Sequence, residues 1–266
     1  MILTAENYFS PEASREYLSV SQYKDFCGTI GKPACEEQAL AKLAGEWQTE
    51  KTTALLVGSY VDAHFEGSLA LFKAQNPEIF NKSTGALKAD YRKAEEIINR
   101  IERDELFMKY MSGEKQVIMT ADMFGSKWKI KIDSYLKGKA IVDLKVMREL
   151  HKAEYTKDYG YMNFIEYWGY DIQGAVYQEV VYQNTGLRLP FYIAAASKEP
   201  EPDIELIWIP DDHLREKLIE VESNTPKIVA LKNGEMEPIR CGMCDYCKHT
   251  KVLEKPIHYS ELLGEV

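Results

Sequence analysis

The chain has 266 residues, of which 45% are hydrophobic and 28% are charged, and its formal net charge at neutral pH is −9. This length and apolar content suffice for one well-buried domain, and we expect a single domain over residues 1–266. The sequence has no apolar stretch near the roughly 18 residues of a membrane span, and no signal peptide or repeat pattern. We therefore expect a soluble cytoplasmic protein that has no membrane partner.

The first part of the chain predicts helices. Short helices are expected from Ser21 onward, within an N-terminal helical segment of about residues 18–50. Ser19 is a candidate cap for the first of them. A longer helix is predicted from about Thr52 to Phe72, and a charged helix from about Lys88 to Met111.

Alternating apolar and polar residues then predict three consecutive strands, at about Gln116–Met123, Lys127–Leu136 and Lys139–Met147. A helix is predicted from about Met162 to Asn184. The remaining predicted elements are strands at Leu189–Ala195 and Glu205–Ile209 and a helix from Asp211. This order predicts an α/β fold in which helices flank a mixed central sheet.

Two carboxylates face each other in the hairpin formed by the second and third predicted strands. If its turn closes symmetrically about Gly138, Leu136 pairs with Ala140. Counting back along both strands places Asp133 opposite Asp143, with their Cβ atoms about 5 Å apart. A bulge in the turn would shift this register by one residue and separate the pair. Because facing like charges destabilise a sheet, the pair predicts a compensating cation such as Mg²⁺ or Mn²⁺.

Lys145 lies on the same strand face as Asp143, two residues further along. In phosphodiester hydrolysis, carboxylate-bound metal ions would activate water, and this ammonium group would stabilise the developing charge. The opposite strand face is apolar at Val142, Leu144 and Val146, which favours a central strand over a solvated hairpin. The strand therefore predicts a metal-dependent phosphodiesterase centre.

These residues resemble the ordered motifs of the PD-(D/E)XK nucleases, in the RecB-like branch that includes RecE-type (exonuclease VIII) enzymes of phages and prophages. That family has a Gly-X-X-X-His helix segment, an Ile-Asp strand, a (D/E)-X-K strand and a downstream Gln-X-X-X-Tyr. The last three correspond to Ile132-Asp133, Asp143-Leu144-Lys145, and Gln173 with Tyr177. The resemblance implies a restriction-endonuclease-like fold and a magnesium-dependent exodeoxyribonuclease. It places Gln173 and Tyr177 in the cleft, although a core-facing helix would explain them equally well.

The first motif departs from the family pattern, because Asp62 follows Gly58 at the position of the usual metal-binding histidine. On a helix, the His64 side chain would point about 200° away from that of Asp62. We therefore assign Asp62 as the ligand, with Glu66 one turn later on the same side. The predicted metal ligands are Asp62, Asp133, Asp143 and Leu144. The predicted catalytic residues are Asp133, Asp143, Lys145, Gln173 and Tyr177.

A C-terminal segment of about residues 238–250 holds three cysteines within seven residues: Cys241, Cys244 and Cys247. Because the cytoplasm disfavours disulfides, this spacing indicates metal or cluster ligation. RecB-like nucleases that carry a [4Fe–4S] cluster have the same arrangement with one remote cysteine. The resemblance favours Cys35 as that fourth ligand, and Cys27 is the alternative. We expect a [4Fe–4S] cluster that joins this segment to the N-terminal helices, and tetrahedral zinc is the alternative.

The segment from Lys127 to Arg148 has seven basic and two acidic residues, although the chain as a whole is acidic. A basic cleft in an acidic protein would follow a threaded strand while limiting indiscriminate duplex binding. The resemblance implies degradation of linear duplex DNA from 5′ to 3′, a single-strand annealing recombinase as partner, and a homo-oligomer. Two other functions stay open: a single-strand nuclease of the CRISPR-adaptation type, and a non-catalytic DNA-binding module with a structural metal site.

Overall fold

A computed structural model describes residues 1–263 of the chain. The helices α1 to α11 are Pro11–Glu16, Val20–Cys27, Glu36–Ala44, Thr53–Phe65, Leu69–Gln75, Ala89–Glu102, Glu105–Tyr110, Phe164–Tyr167, Tyr170–Thr185, Asp211–Lys232 and Asp245–His249. The strands β1 to β9 are Tyr17–Leu18, Val117–Met123, Ser126–Ile132, Ser134–Leu136, Ala140–Met147, Glu154–Thr156, Gly160–Met162, Phe191–Ser197 and Ile204–Ile209.

The central sheet has the strand order β4-β5-β8-β9. Strand β5 runs antiparallel to β4 and parallel to β8, and β9 runs antiparallel to β8, so the sheet is mixed as predicted. Leu136 pairs with Ala140, and Ser134 pairs with Val142. This is the register expected for a turn centred on Gly138, without the bulge that would have separated the two carboxylates.

Alternating residues of β5 and β8 face two hydrophobic clusters on opposite sides of the sheet. Ile141 and Ile193 pack in the cluster that includes α9 and α10. Val142 and Ala194 pack in the cluster that includes α4 and α6. Because a strand alternates its faces, Asp143 lies on the same side as Ile141 and points toward α9.

A second sheet has the order β1-β3-β2, with β1 parallel and β2 antiparallel to β3. The prediction of one continuous strand at Lys127–Leu136 is therefore wrong in one respect. A bend at Asp133 divides this segment into β3 and β4. The two halves belong to different sheets. At the bend, the Asp133 carboxylate turns toward β5 and accepts a 2.9 Å hydrogen bond from the Leu144 N–H.

Three helices predicted as continuous are each divided into two: Thr52–Phe72, Lys88–Met111 and Met162–Asn184. The first is broken at Gly67 and the third at Gly169, both of which have positive φ. The second is broken at Asp104, whose side chain accepts a hydrogen bond from the Phe107 N–H and caps α7. At the first and third breaks apolar residues keep the helical spacing across the glycine, whereas Asp104 and Glu105 interrupt it at the second.

Several short elements are not predicted from the sequence, among them β1 and the β6–β7 hairpin, because two or three residues show no measurable periodicity. Among the helices of residues 1–263, none combines the length and the apolar character that crossing a membrane requires.

Gly174 lies where helix α9 packs against β8 and α10. A Cβ atom at this position would lie 2.7 Å from the Phe191 ring and 2.9 Å from the Leu214 side chain. Both neighbours are fully buried. We expect Gly174→Ala to lower the free energy of unfolding by about 1–3 kcal/mol, because the core has no room for the extra methyl group. Urea denaturation followed by circular dichroism measures this change.

Gly58→Ala in α4 is the matched control, since a Cβ atom there meets nothing within 4 Å. This substitution is expected to stabilise the helix by up to about 1 kcal/mol. A Gly174→Ala protein that is as stable as Gly58→Ala would contradict the close packing of α9.

Candidate active site

A cavity of about 800 Å³ lies where β3, β5, α4 and α9 come together. Its wall contains six of the predicted site residues: Asp62, Asp133, Asp143, Lys145, Gln173 and Tyr177. Leu144 lines a smaller adjacent cavity that shares Asp62 and Asp133 with the larger one. The structure therefore brings together side chains from α4, from the β3–β5 segment and from α9, which are far apart in the sequence.

Asp143 is the most deeply buried carboxylate of this group, with 2% of its surface exposed. It forms an ion pair with the Lys145 ammonium group, and its Oδ1 atom accepts a 2.6 Å hydrogen bond from Gln173 Nε2. Its Oδ2 atom belongs to the ion pair but has no well-aligned hydrogen bond among the described residues. Because buried polar atoms are normally hydrogen-bonded, this oxygen is suited to a further ligand such as a metal ion.

Asp133 lies beside Asp143 and is held by two donors. Its Oδ2 atom accepts from the Leu144 N–H, and its Oδ1 atom accepts a 3.2 Å hydrogen bond from Gln116 Nε2. Burial and the negative charge of Asp143 raise the pKa of Asp133 to about 7. Burial and the charge of Asp133 likewise raise the pKa of Asp62 well above its usual value. A divalent cation among these carboxylates would favour their ionised forms.

Lys145 supplies the positive charge of the cluster. Burial lowers its pKa, but the Asp143 and Asp133 carboxylates outweigh burial, so the net shift is upward. Its Nζ atom lies 5.0 Å from the centre of the Tyr170 ring. Lys145 therefore keeps its charge directly beside the carboxylates, where it can stabilise a developing negative charge.

Gln173 and Tyr177 lie one turn apart on α9, and their side chains have different hydrogen-bond partners. Gln173 hydrogen-bonds Asp143 and so fixes the orientation of that carboxylate. The Tyr177 hydroxyl donates a 3.1 Å hydrogen bond to the Lys131 carbonyl oxygen, which holds the backbone of β3 just before Asp133. Tyr177 also packs in the hydrophobic core. Both alternatives considered for this helix thus apply, because it lines the cavity and covers the core.

His64 lies outside the carboxylate cluster, as the helical geometry predicts, and its Nε2 atom is 2.7 Å from the Glu102 carboxylate. Glu66 lines the same cavity as Asp62. The side-chain donors of the candidate metal site are therefore all carboxylates, which is a set that suits a hard cation such as Mg²⁺ or Mn²⁺.

The cavity wall also contains residues that no motif in the sequence identifies. Gln116, which hydrogen-bonds Asp133, has a φ of 55°, in the left-handed region that is uncommon for a residue other than glycine. Lys24 donates a 2.9 Å hydrogen bond to the Trp168 carbonyl oxygen. Burial and the charge of Lys145 lower the pKa of Lys24 to about 7. Neither residue shows a distinctive spacing, so only the folded chain identifies them.

The basic segment predicted to bind phosphate is only partly in the cavity. Lys129, Lys131 and Lys145 line the cavity, whereas Lys137 and Lys139 are exposed in the turn between β4 and β5. Both turn residues are close to Asp133 and Asp143 in the sequence, but they lie at the end of the β4–β5 hairpin. The positive charge available to a substrate in the cavity is therefore smaller than the sequence count suggests.

A second cluster lies at the junction of the N-terminal and C-terminal segments. The thiols of Cys35, Cys241, Cys244 and Cys247 all lie within 4.8 Å of one another. Cys35 immediately precedes α3, and its sulfur is 3.5 Å from that of Cys247. Cys27 is exposed and lies outside this group. The structure therefore brings Cys35 to the three C-terminal cysteines and leaves Cys27 apart.

Polar contacts join the same two segments around the thiols. Glu36 accepts a 2.8 Å hydrogen bond from the Ile239 N–H, and Glu37 forms a 2.6 Å ion pair with Arg240. Burial opposes ionisation of Cys241, but hydrogen bonds from backbone N–H groups, including that of Cys244, lower its pKa to about 6. The thiolate is the form that binds metal ions, so Cys241 is prepared for ligation, whereas burial raises the pKa of Cys35 and of Cys244.

A mixed sheet that presents an aspartate, an Asp-X-Lys strand and a glutamine from the neighbouring helix defines a domain of the PD-(D/E)XK nuclease class. Residues 19–250 match the model of the "PDDEXK-like domain of unknown function (DUF3799)", and the chain belongs to that family. A crystal structure from Eubacterium rectale described as a "Putative exonuclease" is 60% identical to this chain, with a TM-score of 0.97 over 100% of both chains. The comparison with curated proteins found no match. The predicted nuclease fold is confirmed.

Proposed function

We propose that the protein is a magnesium- or manganese-dependent exodeoxyribonuclease. The observation that carries this proposal is the convergence of Asp62, Asp133 and Asp143 with Lys145 on the wall of one cavity. The description of the Eubacterium rectale relative as an exonuclease supports cleavage from an end of the substrate.

The chain provides defined roles for the residues around the metal site. The three carboxylates would hold the metal. The Leu144 carbonyl oxygen, which lies 3.4 Å from Lys145 Nζ, is a further possible oxygen ligand near the site. Bound Mg²⁺ or Mn²⁺ would supply an activated water and neutralise charge on the phosphate. Lys145 stabilises the negative charge that develops there, and Gln173 keeps Asp143 in a fixed orientation.

Asp143→Asn and Lys145→Ala are each expected to lower the rate of DNA hydrolysis by at least about 10²-fold, because they remove a metal ligand and the charge beside it. Degradation of end-labelled linear duplex in Mg²⁺ or Mn²⁺ measures the rate. Asp158→Asn, in the turn between β6 and β7, is the control and is expected to retain the parent rate. Hydrolysis by the Asp143→Asn protein at the parent rate would place the chemistry elsewhere.

The resemblance to RecE-type exonucleases extends the proposal to the substrate and partners. We propose that linear duplex DNA is degraded from 5′ to 3′, that the remaining strand passes to a single-strand annealing recombinase, and that the enzyme works as a homo-oligomer. A RecB-like single-strand nuclease of the CRISPR-adaptation type is the second candidate, which the four-thiol cluster supports equally. Duplex labelled at either the 5′ or the 3′ end, compared with the same labelled single strands, distinguishes the two.

If the unmutated protein binds DNA but degrades neither form in Mg²⁺ or Mn²⁺, the remaining proposal is a non-catalytic DNA-binding module. In that case the carboxylate cluster would have no chemical role, and the cysteine site would be structural.

We propose that the four thiolates of Cys35, Cys241, Cys244 and Cys247 hold a metal centre that joins the two ends of the domain. The resemblance favours a [4Fe–4S] cluster. The Cys35–Cys247 and Cys241–Cys247 sulfur separations, 3.5 and 3.8 Å, instead favour one zinc ion, because Zn–S bonds of about 2.3 Å in a tetrahedron give an edge of about 3.8 Å.

Metal analysis and absorption spectroscopy of anaerobically purified protein separate these two centres. Iron together with absorbance at about 400 nm identifies a [4Fe–4S] cluster, and stoichiometric zinc in colourless protein identifies a single zinc ion. Cys35→Ser is expected to lose the metal and to lower the melting temperature, because metal binding here is coupled to folding. Cys27→Ser is the matched control, and an equal loss of metal from it would contradict the assignment of Cys35.

A further inference from the structure

The N-terminal segment, which precedes the range matched by the family model, forms part of the wall of the active-site cavity. The buried ammonium group of Lys129 donates a 2.6 Å hydrogen bond to the Tyr8 carbonyl oxygen and lies 4.7 Å from the centre of the Tyr8 ring. These contacts hold Tyr8 against β3. The next residue, Phe9, also lines the cavity, but 73% of its surface is exposed.

Lys131 connects this aromatic pair to the catalytic carboxylates. Because side chains alternate along a strand, Lys129, Lys131 and Asp133 follow one another along the cavity side of the chain, and all three line the cavity. The Lys131 ammonium group lies 4.8 Å from the centre of the Phe9 ring and 5.8 Å from that of Tyr8. Among the ion pairs of residues 1–263 none involves Lys131, so its charge is available to a ligand.

We propose that Phe9 and Lys131 form a binding subsite for the nucleotide next to the scissile phosphate, on the unpaired end of the strand that is cleaved. This inference rests on the proposed nuclease function. Lys131 precedes Asp133 by two residues, which span at most about 7 Å of backbone, so the two side chains can contact neighbouring groups of one strand. Lys131 pairs with a backbone phosphate, and the exposed face of Phe9 stacks on a base. Cationic side chains next to stacking rings are the usual means of binding single strands.

A single exposed ring is ordinary on a protein surface, so the proposal depends on where Phe9 lies. Trp208 on β9 is also exposed, at 55%, but it does not line the cavity, and no cationic group of the described residues lies over its ring. The Tyr8 ring contacts the Phe9 ring edge to face, with centres 4.9 Å apart. This contact restrains Phe9 before a substrate binds and so reduces the entropy lost on stacking.

Anisotropy of a short fluorescein-labelled single-stranded DNA, titrated with the full-length protein in Ca²⁺ at several salt concentrations, tests the subsite. We expect Phe9→Ala to weaken binding about tenfold at every salt concentration, and Phe9→Trp to restore it. Lys131→Ala is expected to weaken binding and to reduce the slope of log K against log salt by about 0.7, and Lys131→Arg to restore the slope. These two signatures distinguish a stacking contact from a phosphate contact.

Trp208→Ala is the matched control and is expected to bind like the parent protein. Parent-like affinity of both Phe9→Ala and Lys131→Ala, in a protein that degrades DNA, would overturn the subsite and leave the nuclease proposal intact. An equal loss of binding in Trp208→Ala would also overturn it, because the effect would then not be specific to the cavity. A parent protein that neither binds nor degrades DNA would overturn both proposals.

Discussion

The candidate active site depends on one buried carboxylate, that of Asp143. Its negative charge and that of the neighbouring Asp133 are only partly compensated by the Lys145 ammonium group. Asp143 is held by Lys145 on its own strand and by Gln173 from α9, while the charge of Asp133 lies close by. Burying several like charges is unfavourable unless cations compensate them. The excess of carboxylates over ammonium groups at this point is the reason why we propose a divalent metal here, and the surrounding elements keep these groups together.

The arrangement of the strands allows these carboxylates to lie close together. The bend at Asp133 transfers the chain from the sheet of β3 to the sheet of β4, and it lets a backbone N–H of β5 hold the Asp133 carboxylate. Packing of α9 on the same face, with Gly174 allowing close approach to β8, brings Gln173 within hydrogen-bonding distance. The cysteine cluster lies at the junction of the two terminal segments, where it would stabilise the N-terminal helices.

Much of the fold and of the site can be predicted because it follows from local rules. Strand alternation and the turn at Gly138 define the register of β4 and β5, and the observed ladder has that register as far as Ser134 and Val142. Asp133 lies one residue beyond this ladder, at the bend. Helical angles separate Asp62 from His64, and the structure pairs His64 with Glu102 instead. The breaks at Gly67 and Gly169 are not predictable in this way, because the apolar pattern continues across them.

The carboxylate pair with its lysine and the group of three C-terminal cysteines can be found from the amino-acid sequence, since chain geometry relates residues that are close in sequence. The proximity of Cys35 rather than Cys27 to those cysteines, and of Phe9 to the cavity, is found only in the folded chain. This is because distances between remote segments depend on the packing of the whole core. No periodicity or spacing within either segment contains that information.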